Sequence, residues 1–542
     1  MSDVDFIVVG SGCSGAMAAQ TLVESGARVL MLDVGVKGAE DEGRVASDEK
    51  KIPLKDFESI RVEEKNQHEY FLGKNFESLE STESGSGVQL TPARKHIVKH
   101  VDEFLKYSSE SFVPVESLAY GGLGAGWGLG CCVYSTAEMK QCNLPENEML
   151  NAYDVVAGRI GISADEKDDA DPYTIGKTKN HLAPLKIDAN AELLLEKYNI
   201  KKSGLNQNGF FLGRPALALL SENFNDRKAS AYDDMHFYRD AGNSAYRPGL
   251  TIDELKKKNN FSYIGNQLII SFSENEHGVS VKTFDIESKE EKIFTAKNLV
   301  LAAGALSTAR IVLRSFNSEK QISFLCNPYT YYPCLQWKMA GKKIEQNKTG
   351  MCQLSLFHDP QGTNFDVAMA SLYTYRSLFL FRLLNEVPLN FRDAKELMRF
   401  LLSGIIIMGI HHPDSFSSNR FMKRMSDAGT VTKDSFKMEF VLGEEEEAKI
   451  ISREKLFKSA MSKMGATALK RVEPGMGASI HYAGTLPFSK EEKELSLDLN
   501  GRLQGTKNVY VADSSGFTYL PAKGLTFSLM ANAHNVVKKL NT

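Results

Sequence analysis

Apolar and polar positions along the chain alternate between short strand-like runs and helical stretches of small residues. Near the N-terminus, an apolar strand from Phe6 to Val9 leads through a glycine-containing turn into an alanine-rich helix. The same order returns at 299–315, where an apolar strand passes through Ala-Ala-Gly into a helix. Strands that lead directly into helices are typical of parallel sheets. The pattern predicts an α/β fold.

The middle of the chain has a different pattern. Residues 263–304 alternate apolar and polar positions with turn breaks, which predicts a small antiparallel meander leading back to the α/β core. "NPYTYYPCLQW" and "KMEFVL" have strand character, while "AKELMRFLLSGIIIMGIHH" predicts a helix then a strand, or one long helix. "GEEEEAKIISREKLFKSAMSKMG" predicts a solvent-facing helix with acids at its start and lysines later. For the adjacent His411 and His412, we favour plain surface over a strand end that lines a pocket.

Three glycines follow the first strand at the spacing of a dinucleotide-binding turn. Gly10 allows the tight turn, Gly12 lets the backbone approach a pyrophosphate, and Gly15 lets the helix pack closely on the strand. The pyrophosphate would meet free N–H groups at the helix N-terminus, where Ser14 lies. The next strand, "RVLMLD", ends in Asp33, placed to accept a hydrogen bond from an adenosine ribose hydroxyl. These residues predict NAD or FAD without a 2′-phosphate.

Length, charge and cysteine content narrow the class of protein. A chain of 542 residues is too long for one ordinary core, so we expect two or more lobes. With 65 basic and 68 acidic residues, the net charge of -3 predicts no nucleic-acid partner. The seven cysteines show no metal-ligand spacing, and we expect reduced, mostly buried thiols and no metal site. Together with an N-terminus that shows no signal-peptide pattern, this predicts a cytoplasmic location.

Two apolar stretches raise the question of a membrane. The longest run, "FLLSGIIIMGI" at 400–410, is shorter than a bilayer span. Upstream, "YTYRSLFLFRLL" sets Arg376 and Arg382 among large apolar residues, which would suit a membrane surface. We favour core or lid helices for these stretches over peripheral membrane contact, because buried helices of large domains look alike.

Three segments resemble those of the glucose-methanol-choline (GMC) oxidoreductases. "LVLAAGALSTARIVLRS" at 299–315, which contains Ala303, is similar to the second signature of that family. "YGGLGAGWGLG", with Gly122, Gly126 and Trp127, resembles its glycine-rich segment along the flavin. "GRLQGTKNVYVADSSGFTYLPAKGLTFSLMANAHNVV" at 501–537 is similar to its closing segment. The resemblance implies FAD rather than NAD, and its glycine-rich segment looks closer to that of sugar-oxidising members.

The same resemblance implies roles near the flavin. It places Asp513 near the ribityl chain, and it lets the N-terminus of the following helix, where Thr526 lies, face the flavin N1–C2=O edge. Some sugar-oxidising relatives attach FAD through a histidine in the glycine-rich segment. Because "GGLGAGWG" contains none, we expect noncovalent FAD.

One histidine and one lysine carry the implied chemistry. "HYAGT" resembles the family's segment with the catalytic histidine, so His481 would take the hydroxyl proton as hydride leaves for flavin N5. The alternative is a structural histidine that caps the turn. The family pairs its histidine with an Asn or His, but an ungapped count places Gly524 there, with Lys523 beside it. Lys523 could take the second polar role, point to solvent, or belong to a catalytically altered site.

The resulting hypothesis is a two-lobed FAD-dependent oxidoreductase that oxidises an alcohol, on a sugar or polyol, to a carbonyl. The fold class is α/β with an α+β substrate lobe: a Rossmann-like FAD-binding domain of GMC type and a sheet-containing substrate domain. A non-redox lyase on the same fold and an FAD-binding protein with an altered catalytic pair are the alternatives. Oxygen, a quinone or a protein would accept the electrons.

The sequence also predicts how the chain divides into domains. An FAD-binding domain is expected at 1–36, 113–142, 200–318 and 473–542, and a substrate-binding domain at 319–472. Residues 37–112 would be a charged insertion or lid, for which solvated loops are the favoured interpretation.

Overall fold

The computed structural model describes residues 4–38, 90, 92–234, 236–237, 240–343, 345, 347–374 and 388–541. Its strands are β1 (Phe6–Val9), β2 (Val29–Leu32), β3 (Tyr107–Ser108), β4 (Gly130–Cys131), β5 (Phe210–Gly213), β6 (Ala216–Leu217), β7 (Phe261–Ile264), β8 (Gln267–Asn275), β9 (Gly278–Asp285), β10 (Glu291–Ala296), β11 (Asn298–Leu301), β12 (Ile322–Ser323), β13 (Leu325–Cys326), β14 (Tyr329–Gln336), β15 (Leu354–His358), β16 (Ala368–Tyr373), β17 (Ile405–His411), β18 (Asp414–Ser415), β19 (Arg420–Ser426), β20 (Asp434–Phe440), β21 (Ala466–Ala468), β22 (Tyr482–Ala483), β23 (Val509–Val511) and β24 (Tyr519–Leu520). Its α-helices are α1 (Cys13–Glu24), α2 (Val101–Phe104), α3 (Thr136–Gln141), α4 (Glu146–Ile160), α5 (Ala189–Asn206), α6 (Pro248–Leu255), α7 (Ala305–Ser315), α8 (Phe391–Leu401), α9 (Glu444–Lys463) and α10 (Leu525–Lys538).

A five-stranded parallel sheet forms the core of the nucleotide-binding lobe. Its order is β23-β11-β1-β2-β7, so strands from both ends and the middle of the chain lie side by side. The central strand β1 is buried along its whole length, as expected when helices cover both faces of a parallel sheet. Helix α1 packs against α10, which joins the two chain ends in one core. The predicted α/β fold is confirmed.

The predicted meander lies directly before the return to this sheet. Strands β8, β9 and β10 pair antiparallel in sequence order, and β11 follows β10 after one residue. Burial alternates along β10, where one face is exposed and the other is partly or fully covered. The local alternation therefore predicted both the strands and their pairing.

A six-stranded antiparallel sheet lies over the candidate site. Its order is β21-β14-β17-β16-β15-β5. Helix α8 followed by β17 selects the helix-then-strand alternative for the apolar run, and α9 is the predicted acidic-to-basic helix. Strand β5 falls in the stretch 200–318 that the sequence assigned to the FAD-binding domain, yet it pairs with β15 at the edge of this second sheet. A four-residue apolar strand does not specify its sheet, and the predicted domain divisions remain predictions.

Two predicted features fall outside the described residues, at least in part. Most of the charged insertion at 37–112 lies there, as does the stretch with Arg376 and Arg382. Among the helices that the structure describes, none is long and apolar enough to cross a membrane. All seven cysteines are buried and unpaired, as the sequence predicts for thiols.

Candidate active site

One cavity of about 670 Å³ connects nearly all of the predicted site residues. It begins at Asp33, at the end of β2, passes the turn between β1 and α1, and ends beside His481 under the six-stranded sheet. The predicted residues in its wall are Gly10, Gly12, Ser14, Asp33, Gly122, Gly126, Trp127, Ala303, His481, Asp513 and Thr526. Gly15 lies beneath the turn, and Lys523 does not line the cavity.

The glycine turn has the close contacts that its spacing predicts. Gly10 has a φ of +94°, and a Cβ added there would lie 2.8 Å from the Ala302 carbonyl oxygen. A Cβ on Gly15 would lie 1.9 Å from the Gly10 oxygen, so helix and strand are in backbone contact. On Gly12, the nearest atom would be 3.9 Å away, which leaves room for a ligand at the N-terminus of α1. The side chain of Ser14 is buried in the first turn of that helix.

Asp33 lies at the end of β2 with one face toward the cavity. Its carboxylate accepts hydrogen bonds from the Ser11 hydroxyl and, at 3.3 Å, from the Tyr263 hydroxyl. Ser11 Oγ in turn accepts from the Gly121 amide at 2.8 Å, which ties β2 to the glycine-rich segment. Burial raises the pKa of Asp33 to about 7. Its place agrees with that predicted for the ribose-binding acid, and the contact itself stays a prediction.

The glycine-rich segment crosses the cavity as a short 3-10 helix, Gly122–Ala125. Gly122 has a φ of +56°, and its added Cβ would lie 3.2 Å from the Gly12 Cα, so two glycine turns meet here. Gly126 faces the Ile97 side chain with no room for a larger residue. The Trp127 indole is anchored by its Nε1, which donates to the Tyr246 carbonyl at 2.9 Å.

Asp513 uses its carboxylate to join the two returning segments. Oδ2 accepts from the Gly304 amide at 3.0 Å and from Thr308 Oγ1 at 2.6 Å, which ties Asp513 to the start of α7. Oδ1 accepts from the Ser515 amide at 2.9 Å and so caps the 3-10 turn Ser514–Gly516. The structure thus shows a helix-capping role that the sequence analysis missed. The predicted proximity to the ribityl chain stays a prediction.

The N-terminus of α10 faces the same cavity. Gly524 is its N-cap residue, and Leu525 and Thr526 in the first turn line the wall. No side chain caps the first-turn amides of this helix. Such amides carry partial positive charge, so the end of the cavity is suited to a developing negative charge.

His481 is held by a partner that the motif did not reveal. Strand β13 pairs antiparallel with β22, so Asn327, just after β13, meets His481, just before β22. Asn327 Nδ2 donates to the carbonyls of His412, Pro521 and Leu520 at 2.8, 3.1 and 3.3 Å.

These three carbonyls assign the amide orientation, because only an NH₂ group can donate to them. The Asn327 Oδ1, 3.0 Å from His481 Nδ1, must therefore accept a hydrogen bond from a protonated Nδ1. Nε2 of the neutral ring is left with its lone pair available. Burial lowers the pKa of His481 to about 4, which favours this neutral form.

His411 lies against His481 in the cavity wall. It ends β17, opposite Tyr329 of β14, and its ring centroid is 5.2 Å from that of His481 with 23° between the planes. None of the described residues forms a hydrogen bond with its ring nitrogens. Burial first, and then the two neighbouring histidines, lower its pKa well below the usual range.

The favoured prediction of plain surface was therefore wrong for both adjacent histidines. His412, on the opposite face of the chain, is 2% exposed and lies 3.9 Å from Glu454. The signal was available in the sequence: residues that are neighbours in a strand point to opposite faces, so one of the two had to face the cavity side of the sheet.

The C-terminal part of the chain matches a family model. Residues 408–533 match the model described as GMC oxidoreductase. This part of the chain is therefore similar to GMC oxidoreductases. The matched range contains His411, His481, Asp513 and most of α10.

Solved structures share the fold of this protein over nearly the whole chain. Pyridoxine 4-oxidase from Mesorbium loti is 11% identical, with 99% of each chain covered and a TM-score of 0.55. Formate oxidase from Aspergillus oryzae RIB40, studied for the effect of a mutation on FAD modification, is 11% identical in two structures, with TM-scores of 0.59 and 0.60. These two matches cover 100% and 99% of this chain and 99% and 98% of the formate oxidase chains. No curated protein matches this sequence.

FAD is named in the two formate oxidase structures that share this fold. The residues of this chain fit FAD, because the open space above Gly12 adjoins the N-terminus of α1 and Asp33 lies at the end of β2. Gly10, Gly12, Ser14 and Asp33 would hold the adenosine and pyrophosphate, while the glycine-rich segment and α10 would hold the flavin end. The cavity connects these two groups without interruption.

Lys523 does not meet His481. It is completely buried, and its ammonium donates to Glu138 Oε2 at 2.6 Å and to Asn364 Oδ1 at 2.5 Å. The alternative of a solvent-facing lysine was therefore wrong. Glu138 also closes the capping box of α3, so the ion pair ties α3 to the loop before α10.

We expect Lys523→Met to lower the free energy of unfolding by about 3–5 kcal/mol, because it leaves the Glu138 carboxylate buried without its cation. Lys523→Met combined with Glu138→Gln should regain most of this loss, since glutamine can still close the capping box. Urea unfolding followed by circular dichroism measures both. If the Lys523→Met protein were as stable as the wild type but did not turn over substrate, a catalytic role for the lysine would be favoured instead.

Proposed function

We propose that this protein oxidises an alcohol group to a carbonyl and that His481 is the base that takes the hydroxyl proton. FAD, when bound, supplies the hydride acceptor for such a reaction, at flavin N5. The observation that carries the proposal is the tautomer of His481. Its Nδ1 donates to Asn327, so Nε2 can accept a proton within the cavity.

His411 supplies the second polar group in this proposal. The family's usual Asn or His on the closing segment is replaced here by Gly524 and the buried Lys523. His411 reaches the same cavity from β17, with ring nitrogens that no described residue occupies. In the neutral form it can donate one hydrogen bond to the alcohol oxygen. The alcohol oxygen would then lie at the edges of two neutral imidazoles, one that accepts its proton and one that donates a hydrogen bond to it.

The surrounding side chains support an alcohol with an aromatic or apolar body. Tyr329, Tyr331, Tyr373 and Ile407 line the cavity near the two histidines. Each hydroxyl of a polyol would need its own hydrogen-bond partner on leaving water. We therefore place an aryl or alkyl alcohol ahead of the sugar or polyol that the glycine-rich segment suggested. Noncovalent FAD, a cytoplasmic location and the choice among oxygen, a quinone and a protein acceptor remain predictions.

Anaerobic mixing of the purified yellow protein with a panel of alcohols tests this function. The panel contains aryl alcohols, alkyl alcohols, sugars and polyols of matched concentration, and the signal is bleaching of the flavin absorption. We expect bleaching by members of the aryl or alkyl group, and a smaller rate in His411→Leu. Bleaching by sugars alone would overturn the donor class. No bleaching by any alcohol would favour the lyase or the altered catalytic pair.

A further inference from the structure

Exposed aromatic and apolar side chains lie on α8, just before it, and on the 3-10 turn attached to its C-terminal end. Trp337 is 60% exposed and Phe400 is 53% exposed, and Leu389 and Leu397 are exposed at the start and in the last turns of the same helical segment. We call these four residues the Trp337 patch. Single exposed apolar residues are ordinary, but large side chains gathered on adjoining segments of one surface mark an interaction site.

Hydrogen bonds hold the two segments that carry Trp337 and Phe400 together. The Gly341 amide donates to the Phe400 carbonyl at 2.7 Å, and a Cβ on Gly341 would lie 2.9 Å from the Phe400 ring. Ser403 Oγ donates to the Met339 carbonyl at 2.6 Å. The 3-10 turn Trp337–Met339 is therefore attached to the C-terminal end of α8.

Cationic side chains surround the patch. Lys338, Lys342, Lys343, Arg392 and Arg399 are exposed on the same two segments, against the carboxylates of Glu345, Asp393 and Glu396. Glu396 is paired with Arg399 at 3.3 Å, and Asp393 accepts from the Asn390 side-chain amide at 2.5 Å. The surface around the apolar side chains thus carries excess positive charge.

We propose that the Trp337 patch binds the surface of a membrane that contains anionic phospholipids. Tryptophan and phenylalanine partition into the boundary between headgroups and acyl chains, and lysine and arginine are attracted to anionic headgroups. A soluble acidic partner would match the charge but would give the exposed indole and phenyl rings no apolar surface. A bilayer surface matches both features at once.

The patch lies across α8 from the candidate active site. Ala394, Met398 and Leu402 on the inner side pack against Tyr331 and Ile407, which line the cavity. Docking on a membrane would bring this wall of the cavity toward the lipid. The inference does not depend on the proposed alcohol oxidation, because binding to lipid can be measured without turnover.

Co-sedimentation of the full-length FAD-loaded protein with lipid vesicles tests the proposal. One set of vesicles is phosphatidylcholine alone, and the other is phosphatidylcholine mixed with phosphatidylglycerol. We expect binding to the anionic vesicles that weakens as salt is raised. Trp337→Glu combined with Phe400→Glu should weaken binding by about tenfold or more.

The matched control is Ile200→Glu combined with Ile293→Glu, which changes side chains that are 67% and 70% exposed elsewhere on the surface. It should bind the vesicles as the wild type does. Lys342→Glu combined with Lys343→Glu leaves the apolar residues intact and should weaken only the anionic binding. Equal binding by all variants, or no binding of the wild type to anionic vesicles, would overturn the proposal. A dimer in gel filtration that the Trp337 and Phe400 variant dissociates, without vesicle binding, would assign the patch to a second copy of the chain.

Discussion

His481→Ala is expected to lower kcat for alcohol oxidation by about 10²–10⁴-fold while FAD stays bound, because a positioned general base contributes about that much. The substitution removes the imidazole whose Nδ1 is held by Asn327 and whose ring lines the cavity. Anaerobic stopped-flow measurement of flavin bleaching gives the rate directly. Free imidazole added to the variant should restore part of the rate, since the space of the lost ring lies open to the cavity.

The pH dependence gives a second readout of the same residue. The base works only when neutral, and burial lowers its pKa to about 4. We therefore expect kcat/KM of the wild type to stay level from neutral pH down to about pH 5 and to fall as pH drops through 4. An unperturbed imidazole would instead lose activity near its usual pKa of about 6.5.

His358→Leu is the matched control for this prediction. His358 is also a buried histidine of low pKa, but it stacks on Phe210 and does not line the cavity. It should keep the wild-type rate. If His481→Ala oxidised alcohols at the wild-type rate, the residue would have only the structural role of capping its turn.

Gly15→Ala is expected to abolish stable FAD binding. The added Cβ would lie 1.9 Å from the Gly10 carbonyl oxygen, so α1 must move away from the turn whose amides face the pyrophosphate site. Overpacking of this kind costs about 1–3 kcal/mol of stability. The clash here is with a backbone atom, so no side chain can rotate to relieve it. The FAD retained after gel filtration and the urea midpoint of unfolding measure the two consequences.

Gly204→Ala provides the control with the same chemical change. Gly204 lies on the exposed side of α5, where an added Cβ meets no atom within 4 Å. Alanine should stabilise that helix by about 0.5–1 kcal/mol and leave the FAD content unchanged. A Gly15→Ala protein that kept its FAD and its unfolding midpoint would contradict the close packing of strand and helix.

The comparison of sequence with structure separates local from long-range features. The turn from Gly10 to Gly15 could be predicted because strand, turn and helix are consecutive, and each glycine is required by a neighbour a few residues away. The meander β8–β10 was predictable for the same reason. The pairing of β5 with β15 could not be predicted, because the two strands lie far apart along the chain.

The sequence by itself determined the α/β core, the nucleotide turn with Asp33, and the segment with His481, since each is a continuous pattern. Only the tertiary structure decided what surrounds His481. Asn327 reaches it through the pairing of β13 with β22, and His411 through the register of β17 in the six-stranded sheet. Lys523 forms an ion pair with the buried Glu138 of α3 and therefore does not contact His481. Such contacts depend on strand register and on the burial of charges that are distant in sequence. Neither can be predicted from a short stretch of sequence.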